Sequence, residues 1–184
     1  MAAAHVDGAV VVFLEPIALY MTKDLHEEKD GLWSFGYPEP SWTVPIGRAH
    51  TWGDGTDLTI VSYANGLWMS LRVARRLEAD GIRVRVVDIR WINPLPEADL
   101  VREAEATGHV LVVDECRRTG GMAESIVTCI VEKAPHVAVA RVTGEDTYVP
   151  LGPAADLVLV QEAEIERAAR AMVEEKRPRS RASL

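Results

Sequence analysis

Between Val113 and Met122 the chain sets carboxylates, a thiol, guanidiniums, a hydroxyl and a glycine pair in succession: Asp114, Glu115, Cys116, Arg117, Arg118, Thr119, Gly120 and Gly121. The four apolar residues Val110–Val113 before them read as a strand buried on both faces, which Asp114 and Glu115 then leave. After them Met122, Ile126 and Ile130 recur at helical spacing, with Ala123, Val127 and Val131 beside them. Strand, glycine turn and helix form the repeating unit of open α/β sheets, which hold ligands at the carboxyl ends of their strands. Bare helix N–H groups beside Arg117 and Arg118 would suit an anion. Arg117, Arg118, Gly120 and Gly121 are therefore candidates for anion binding. The alternative is that the glycines make only a tight turn while the arginines meet solvent or a partner's carboxylates, since a glycine pair is not a phosphate loop. Asp88, Asp114 and Glu115, all at strand ends, are candidates for acid–base work. Carboxylates so placed more commonly cap helices or accept from nearby N–H groups.

Composition narrows the function classes. The 184 residues are 48% hydrophobic and carry a net charge of −8. The length allows one substantial core, and at most one domain plus pieces of another. The acidic balance argues against a nucleic-acid groove, which needs a basic stripe. No apolar run is long enough to span a membrane, and the start MAAAHVDGAVVV lacks the pattern of a signal peptide. Cys116 and Cys129 form neither a CxxC nor a disulfide framework, which implies a cytoplasmic protein. Cys129 is expected to be buried on its helix and Cys116 exposed in the loop. No pair among His5, His26, His50, His109 and His136 has metal-ligand spacing, so no metal site is expected. There is no three-glycine dinucleotide fingerprint, no GxxxxGK[ST] and no GxSxG.

The elements that position these residues follow from periodicity. Gly8–Glu15 is an apolar run expected as a strand, either an edge of the main sheet or the last strand of a preceding domain. Residues 16–55 are rich in proline, glycine and scattered aromatics. They predict a segment pinned along a surface, with Trp33, Tyr37 and Trp42 buried and Val44–Trp52 forming an edge strand. From Thr56 onward strands and helices alternate: strands at Leu58–Tyr63, Val84–Ile89, Val110–Val113 and Val137–Val142. The helices between them carry Leu67, Leu71, Ala74 and Leu77, then Leu100, Val101 and Ala104 up to a stop at Gly108, then the run from Met122. A last helix shows Ile165, Ala168, Ala169, Met172 and Val173 on one face. The pattern predicts a mainly parallel sheet.

Several phrases, in order, resemble one known family: FLEP and LY at residues 13–20, VPIGRA at 44–49, GTDLTIVSY at 55–63, VRVVDIRWINPLP at 84–96, VLVVDECRRTGG at 110–121 and RVTGEDTYVP at 141–150. Together they resemble the C-terminal part of the β subunit of thiamine-diphosphate-dependent 2-oxo acid dehydrogenases, the E1 component, whose domain is of the transketolase C-terminal type. The resemblance implies a three-layer α/β/α domain with a five-stranded, mostly parallel sheet whose first strand is antiparallel at the edge. It implies that residues 1–20 carry the terminal strand of a pyrimidine-binding domain lying mostly outside this chain. Residues 21–55 would then be linker and edge strand, 56–176 the transketolase C-terminal-like domain, and 177–184 a basic tail. The glutamate that activates the aminopyrimidine belongs, by the same resemblance, to the pyrimidine-binding domain, and Glu15 does not take its place. Thiamine diphosphate and magnesium would serve the complete enzyme without being bound by this chain. The implied partners are an E1 α subunit or equivalent domain, a second β subunit and the acyltransferase (E2) core. Departures from the family are Asp114 where histidine is frequent, Ile17 and Met21 at basic positions, and Ser125 where glutamate is usual. The other functional class is a stand-alone α/β module binding a small anion at Arg117–Gly121.

Overall fold

The computed structural model describes His5 and residues 7–176. Five strands form one sheet: β1 His50–Trp52, β2 Leu58–Ser62, β3 Val84–Asp88, β4 His109–Arg117 and β5 Ala138–Gly144. Their order is β1-β3-β2-β4-β5, with β1 antiparallel to β3 and the remaining pairs parallel. The helices are α1 Ala64–Ala79, α2 Glu97–Thr107, α3 Met122–Lys133 and α4 Glu162–Lys176, with short 3-10 turns at Ile17–Leu19 and Gly152–Leu157. The basic tail expected at 177–184 lies outside the described residues.

Strand parity sorts the core into two faces. Leu58, Ile60, Val84, Val86, Leu111 and Val113 pack under α1 and α4, which contribute Leu71, Leu77, Ile165 and Ala169. Val61, Val87, Val110 and Val112 face the other way, onto Leu100 and Ala104 of α2 and Ile126 and Ile130 of α3. Both faces of β2 and β4 are thus covered, which explains the apolar run Val110–Val113 and the full burial of β2, whose Thr59 and Ser62 hydroxyls donate to Glu103 O and Val113 O. Gly108, at φ 72, closes α2 as the sequence predicts. A buried polar seam joins the layers: Thr59 Oγ1 donates to Glu103 O at 2.8 Å, and Arg85 Nη1 donates to Glu103 Oε2 at 2.6 Å.

Four expectations are corrected. Strand β4 does not end at Val113 but runs to Arg117, because β5 continues beside it through a bulge between Asp114 and Arg117. Gly8–Glu15 forms no strand and no edge of the sheet; its side chains Val10, Val12, Phe13 and Leu14 are exposed. Without a ladder partner an apolar run has nothing to hold it as a strand. Tyr37 and Trp42 are also exposed, although Trp33 packs against the core beside Phe35 and Trp52. The edge strand is shorter than Val44–Trp52, occupying only its last residues.

What pins the irregular stretch is a clamp of carboxylates. Asp30 accepts backbone N–H bonds from Leu25, His26, Glu27 and Leu32, at 2.7–2.9 Å, and Asp24 accepts from Lys29 and Gly31. Leu25 is buried in the core, Trp68 Nε1 donates to Asp24 O at 3.1 Å, and Arg72 donates to Leu25 O while stacking on the Trp68 ring. Desolvation opposes the charge on Asp30, yet these N–H donors together hold its carboxyl well below the usual carboxylate range. A depressed folded value means that the clamp is at full strength above the ordinary carboxylate pKa and is lost as pH falls below it. Tryptophan fluorescence is therefore expected to stay constant down to about pH 4 and to change below it. Asp30→Asn should show the loosened signal already at neutral pH. Identical acid titrations of the two proteins would show that Asp30 is not the clamp.

Candidate functional site

The carboxyl edge of the sheet gathers the polar residues, and its organiser is Asp114. Parity puts Tyr63 and Asp114 on the same face of neighbouring strands, one step beyond the register pair Val61 and Val112. Asp114 is 1% exposed and accepts three hydrogen bonds: from Tyr63 Oη at 2.7 Å, from Cys116 N at 2.9 Å and from Ala123 N at 2.8 Å. The last of these caps α3 from a strand, because the N-cap residue Gly121 has no side chain to do it. Asp114 therefore stays in the core instead of leaving it, and α3's first turn is not bare. Burial, and then the bond to Asp114, push the Tyr63 hydroxyl far above the ordinary phenol range.

The opposite face carries Glu115. Burial raises its pKa, the Asp114 charge adds to the rise, and a hydrogen bond from Asn65 opposes it. Asn65 Oδ1 is itself buried and has no hydrogen-bond partner among the described residues. At the end of β3, burial likewise raises Asp88, opposed by the Arg90 N–H at 3.0 Å and the Arg90 guanidinium at 3.8 Å. His50 beside it is lowered by burial and by Arg90. Strand-end carboxylates are thus held by hydrogen bonds to neighbouring N–H groups, in line with their commoner duty, and Tyr63 and Asn65 are the partners that reading the sequence missed. The signal for Tyr63 was available: it follows Val61 by two residues, as Asp114 follows Val112.

Of the four singled-out residues, Arg117 ends β4, Arg118 and Gly120 lie exposed in the turn after it, and Gly121 is buried at the start of α3. Arg117 Nε donates to Thr119 O at 3.1 Å, and Arg118 O accepts from Arg141 Nη1 at 3.1 Å. Thr119 is tied through both its N–H and its hydroxyl to Asp146, whose carboxyl these bonds and the neighbouring Arg117 and Arg118 hold low. Gly120 takes φ 71, the conformation that favours glycine. Gly121 does not: its φ is −83, and its constraint is space. A Cβ there would meet Arg117 O at 2.7 Å and Asp114 Oδ2 at 3.0 Å. Cys116 is exposed and Cys129 buried, as expected. Among the described residues no group of three His, Cys, Asp or Glu could hold a metal.

Comparison with known proteins decides the family. A model described as "Transketolase, C-terminal domain" matches residues 47–165, well over half of the chain. The chain belongs to the transketolase C-terminal domain family. It is 33% identical over 171 residues to the pyruvate dehydrogenase E1 component subunit beta of Bacillus subtilis (strain 168), covering 91% of this chain and 50% of that protein. The same subunit of Staphylococcus epidermidis is 32% identical over 167 residues, covering 89% and 48%. The chain thus spans about half the length of the curated relatives it matches. A solved structure titled "Split gene transketolase, inactive beta4 tetramer" superposes with a TM-score of 0.66 at 28% identity, covering 77% of this chain and 47% of that one. The five-stranded mixed sheet and its helix layers are those of a transketolase-type domain.

Stability should reveal how the site is held. Asp114→Ala strands three donors and is expected to lower the unfolding free energy by roughly 2–4 kcal/mol, whereas Tyr63→Phe should cost about 1 kcal/mol. Gly121→Ala should cost about 1–3 kcal/mol through overpacking, and Gly120→Ala about 1 kcal/mol through backbone strain. Urea melts give all four values. Equal costs for Asp114→Ala and Tyr63→Phe would mean that the capping bond to Ala123 contributes nothing.

Proposed function

We propose that this chain is the C-terminal assembly domain of the β subunit of a thiamine-diphosphate-dependent 2-oxo acid dehydrogenase E1 component, in the cytoplasm. Such an enzyme decarboxylates a 2-oxo acid oxidatively and passes the acyl group to lipoyl groups. The domain's task is to join β subunits to one another and to an E1 α subunit or equivalent domain, and to present a surface to the acyltransferase (E2) core. Similarity to E1 β subunits over most of the chain supports the enzyme class.

One observation carries the assembly role. The core closes on both faces of the sheet, yet Val10, Val12, Phe13, Leu14, Ile17 and Met21 stand exposed in one stretch. Apolar exposure on that scale marks an interaction surface. The loop with Tyr148, Val149 and Leu151 adds a second exposed apolar stretch. The exposure of Arg117 and Arg118, with no ion pair within 4.0 Å among the described residues, supports a role in meeting a partner's carboxylates or carbonyls. We assign residues 1–20 to the end of a pyrimidine-binding domain.

The residues present do not fit a thiamine diphosphate and magnesium site. The glycine turn offers no diphosphate cradle, because Asp114 occupies the Ala123 N–H and turns a carboxylate toward Gly121. The cofactor and its metal belong, in this reading, to other parts of the enzyme, and the chain alone is inactive.

Assembly is tested by sedimentation equilibrium at tens of micromolar. The chain is expected to sediment as a dimer or larger species, the two-fold dimer being the commonest closed form. Val12→Glu with Leu14→Glu should return it to monomer with an unchanged melt. A monomeric wild type at these concentrations would overturn the assembly role. Replacing Arg117 and Arg118 by alanine should leave folding within about 0.5 kcal/mol of wild type while weakening capture of an E1 α subunit by about 2–5 kcal/mol. Undiminished capture would remove the two arginines from the interface. Calorimetry with thiamine diphosphate and magnesium should detect no binding, and micromolar affinity for this chain alone would contradict the proposal.

A further inference from the structure

We propose that the groove between β5 and α4 is a binding site for a small phosphate-bearing molecule. The groove encloses about 390 Å³, and Arg118, Arg141 and Arg167 line it together with Thr143. Its position is set by the fold. Strand β5 is the edge of the sheet, α4 crosses beside it, and the loop after β4 brings Arg118 over one end.

The charge distribution is what singles it out. In a chain of net charge −8, arginines find carboxylates readily. Arg72 and Arg76 pair with Glu162, Arg85 with Glu103, Arg48 with Asp99, Arg83 with Asp57, and Arg170 with Asp80. Arg118 and Arg167 have no carboxylate within 4.0 Å among the described residues, and both turn up in this one groove. Arg141 comes no closer than 3.9 Å to Glu124, and its Nη1 instead donates to Arg118 O at 3.1 Å, which ties the two arginines together. Guanidiniums lining one groove, with no carboxylate closer than 3.9 Å among the described residues, suit phosphate oxygens, which they can bond through paired N–H groups. Two carboxylates share the lining. Glu164 is committed to the Gln161 N–H at 3.0 Å, and Glu145 remains to accept from a hydroxyl on the ligand's body. The lining therefore matches a phosphate ester of a hydroxyl-bearing compound better than a bare polyanion.

This site shares Arg118 with the assembly reading, whereas Arg117 and the exposed apolar stretch take no part in it. The test titrates the full 15N-labelled chain with inorganic phosphate and with glycerol phosphate at about 150 mM salt, where weak surface attraction is screened. Saturable shifts are expected at the amides of Thr143–Glu145 and Arg167, with glycerol phosphate binding more tightly than phosphate. Arg167→Gln, on an exposed helix position, and Arg141→Gln should each weaken binding about tenfold, the value of a lost charge-assisted hydrogen bond. Arg75→Gln, an exposed arginine on α1, should leave it unchanged. Absence of saturation by about 10 mM, shifts confined to other regions, or equal losses in Arg75→Gln and Arg167→Gln would each overturn the site. Sedimentation of the same variants separates the two proposals, because Arg167→Gln should not alter assembly.

Discussion

The carboxyl edge of this domain depends on one buried carboxylate. A polar group taken out of water is costly unless its hydrogen bonds are replaced, and a carboxylate more so. Asp114 sits at 1% exposure, and its oxygens are met by a phenol from the end of β2, an amide from its own strand and an amide from the start of α3. Three separate pieces of chain must be in place for that burial to be tolerable. The same requirement explains the glycine pair. Gly121 brings the turn close enough for the α3 amide to reach Asp114, with no room for a Cβ, while Gly120 supplies the reversal just before it. What looked like a loop made for a ligand is in large part a loop made for a helix cap.

The layers of the fold were legible because burial on both faces leaves a strong mark. The run Val110–Val113 in β4 is apolar without alternation, β2 carries no charge and is buried throughout, the helices between them repeat at 3.6 residues, and Gly108 stops α2 in the left-handed conformation. The site was legible only in part. Arg117, Arg118, Gly120 and Gly121 do lie together at the strand end, but the depth of Asp114 was hidden because an acid residue ordinarily signals the surface. Only its tertiary partners reverse that expectation, and they lie nine or more residues away for Ala123 and 51 for Tyr63. Tyr37 and Trp42 show the opposite failure. Aromatic side chains predict burial, but a single domain gives a wandering segment only so much core to lie on, and the Asp24–Asp30 clamp spends that contact on Leu25 and Trp33.

Electrostatics divides the molecule in the same way. Between α1 and α4, Arg72, Arg76 and Arg170 interlace with Glu162 and Glu166, and burial of Arg85 against Glu103 ties β3 to α2. These pairs are half-exposed, and solvent still screens them, so each contributes about 1 kcal/mol or less. The Arg85–Glu103 pair is different, because loss of Glu103 would leave the Arg85 guanidinium under cover without its carboxylate, at a cost of about 3–5 kcal/mol, whereas Glu103 keeps Arg102 if Arg85 is lost. Charge pairing is thus concentrated where helices dock onto the sheet, and it thins out around the loop after β4, where guanidiniums are left over.

Buried groups that are saturated and surface groups that are not have different consequences for function. Saturated groups, such as Asp114 with its three donors, cannot take part in chemistry without dismantling the edge of the sheet. They are poor candidates for catalysis, whatever their residue type. Two unsatisfied surface features lie in different places: apolar side chains on the stretch from Val10 to Met21, and arginines along β5 and α4. Hydrophobic exposure is relieved by another protein surface, and its relief is not directional. Convergent guanidiniums ask for oxygen atoms at defined positions. A domain with both is equipped to be held in an assembly by one surface while the other remains able to recognise a small charged ligand, and neither task requires the domain to carry a reaction centre of its own.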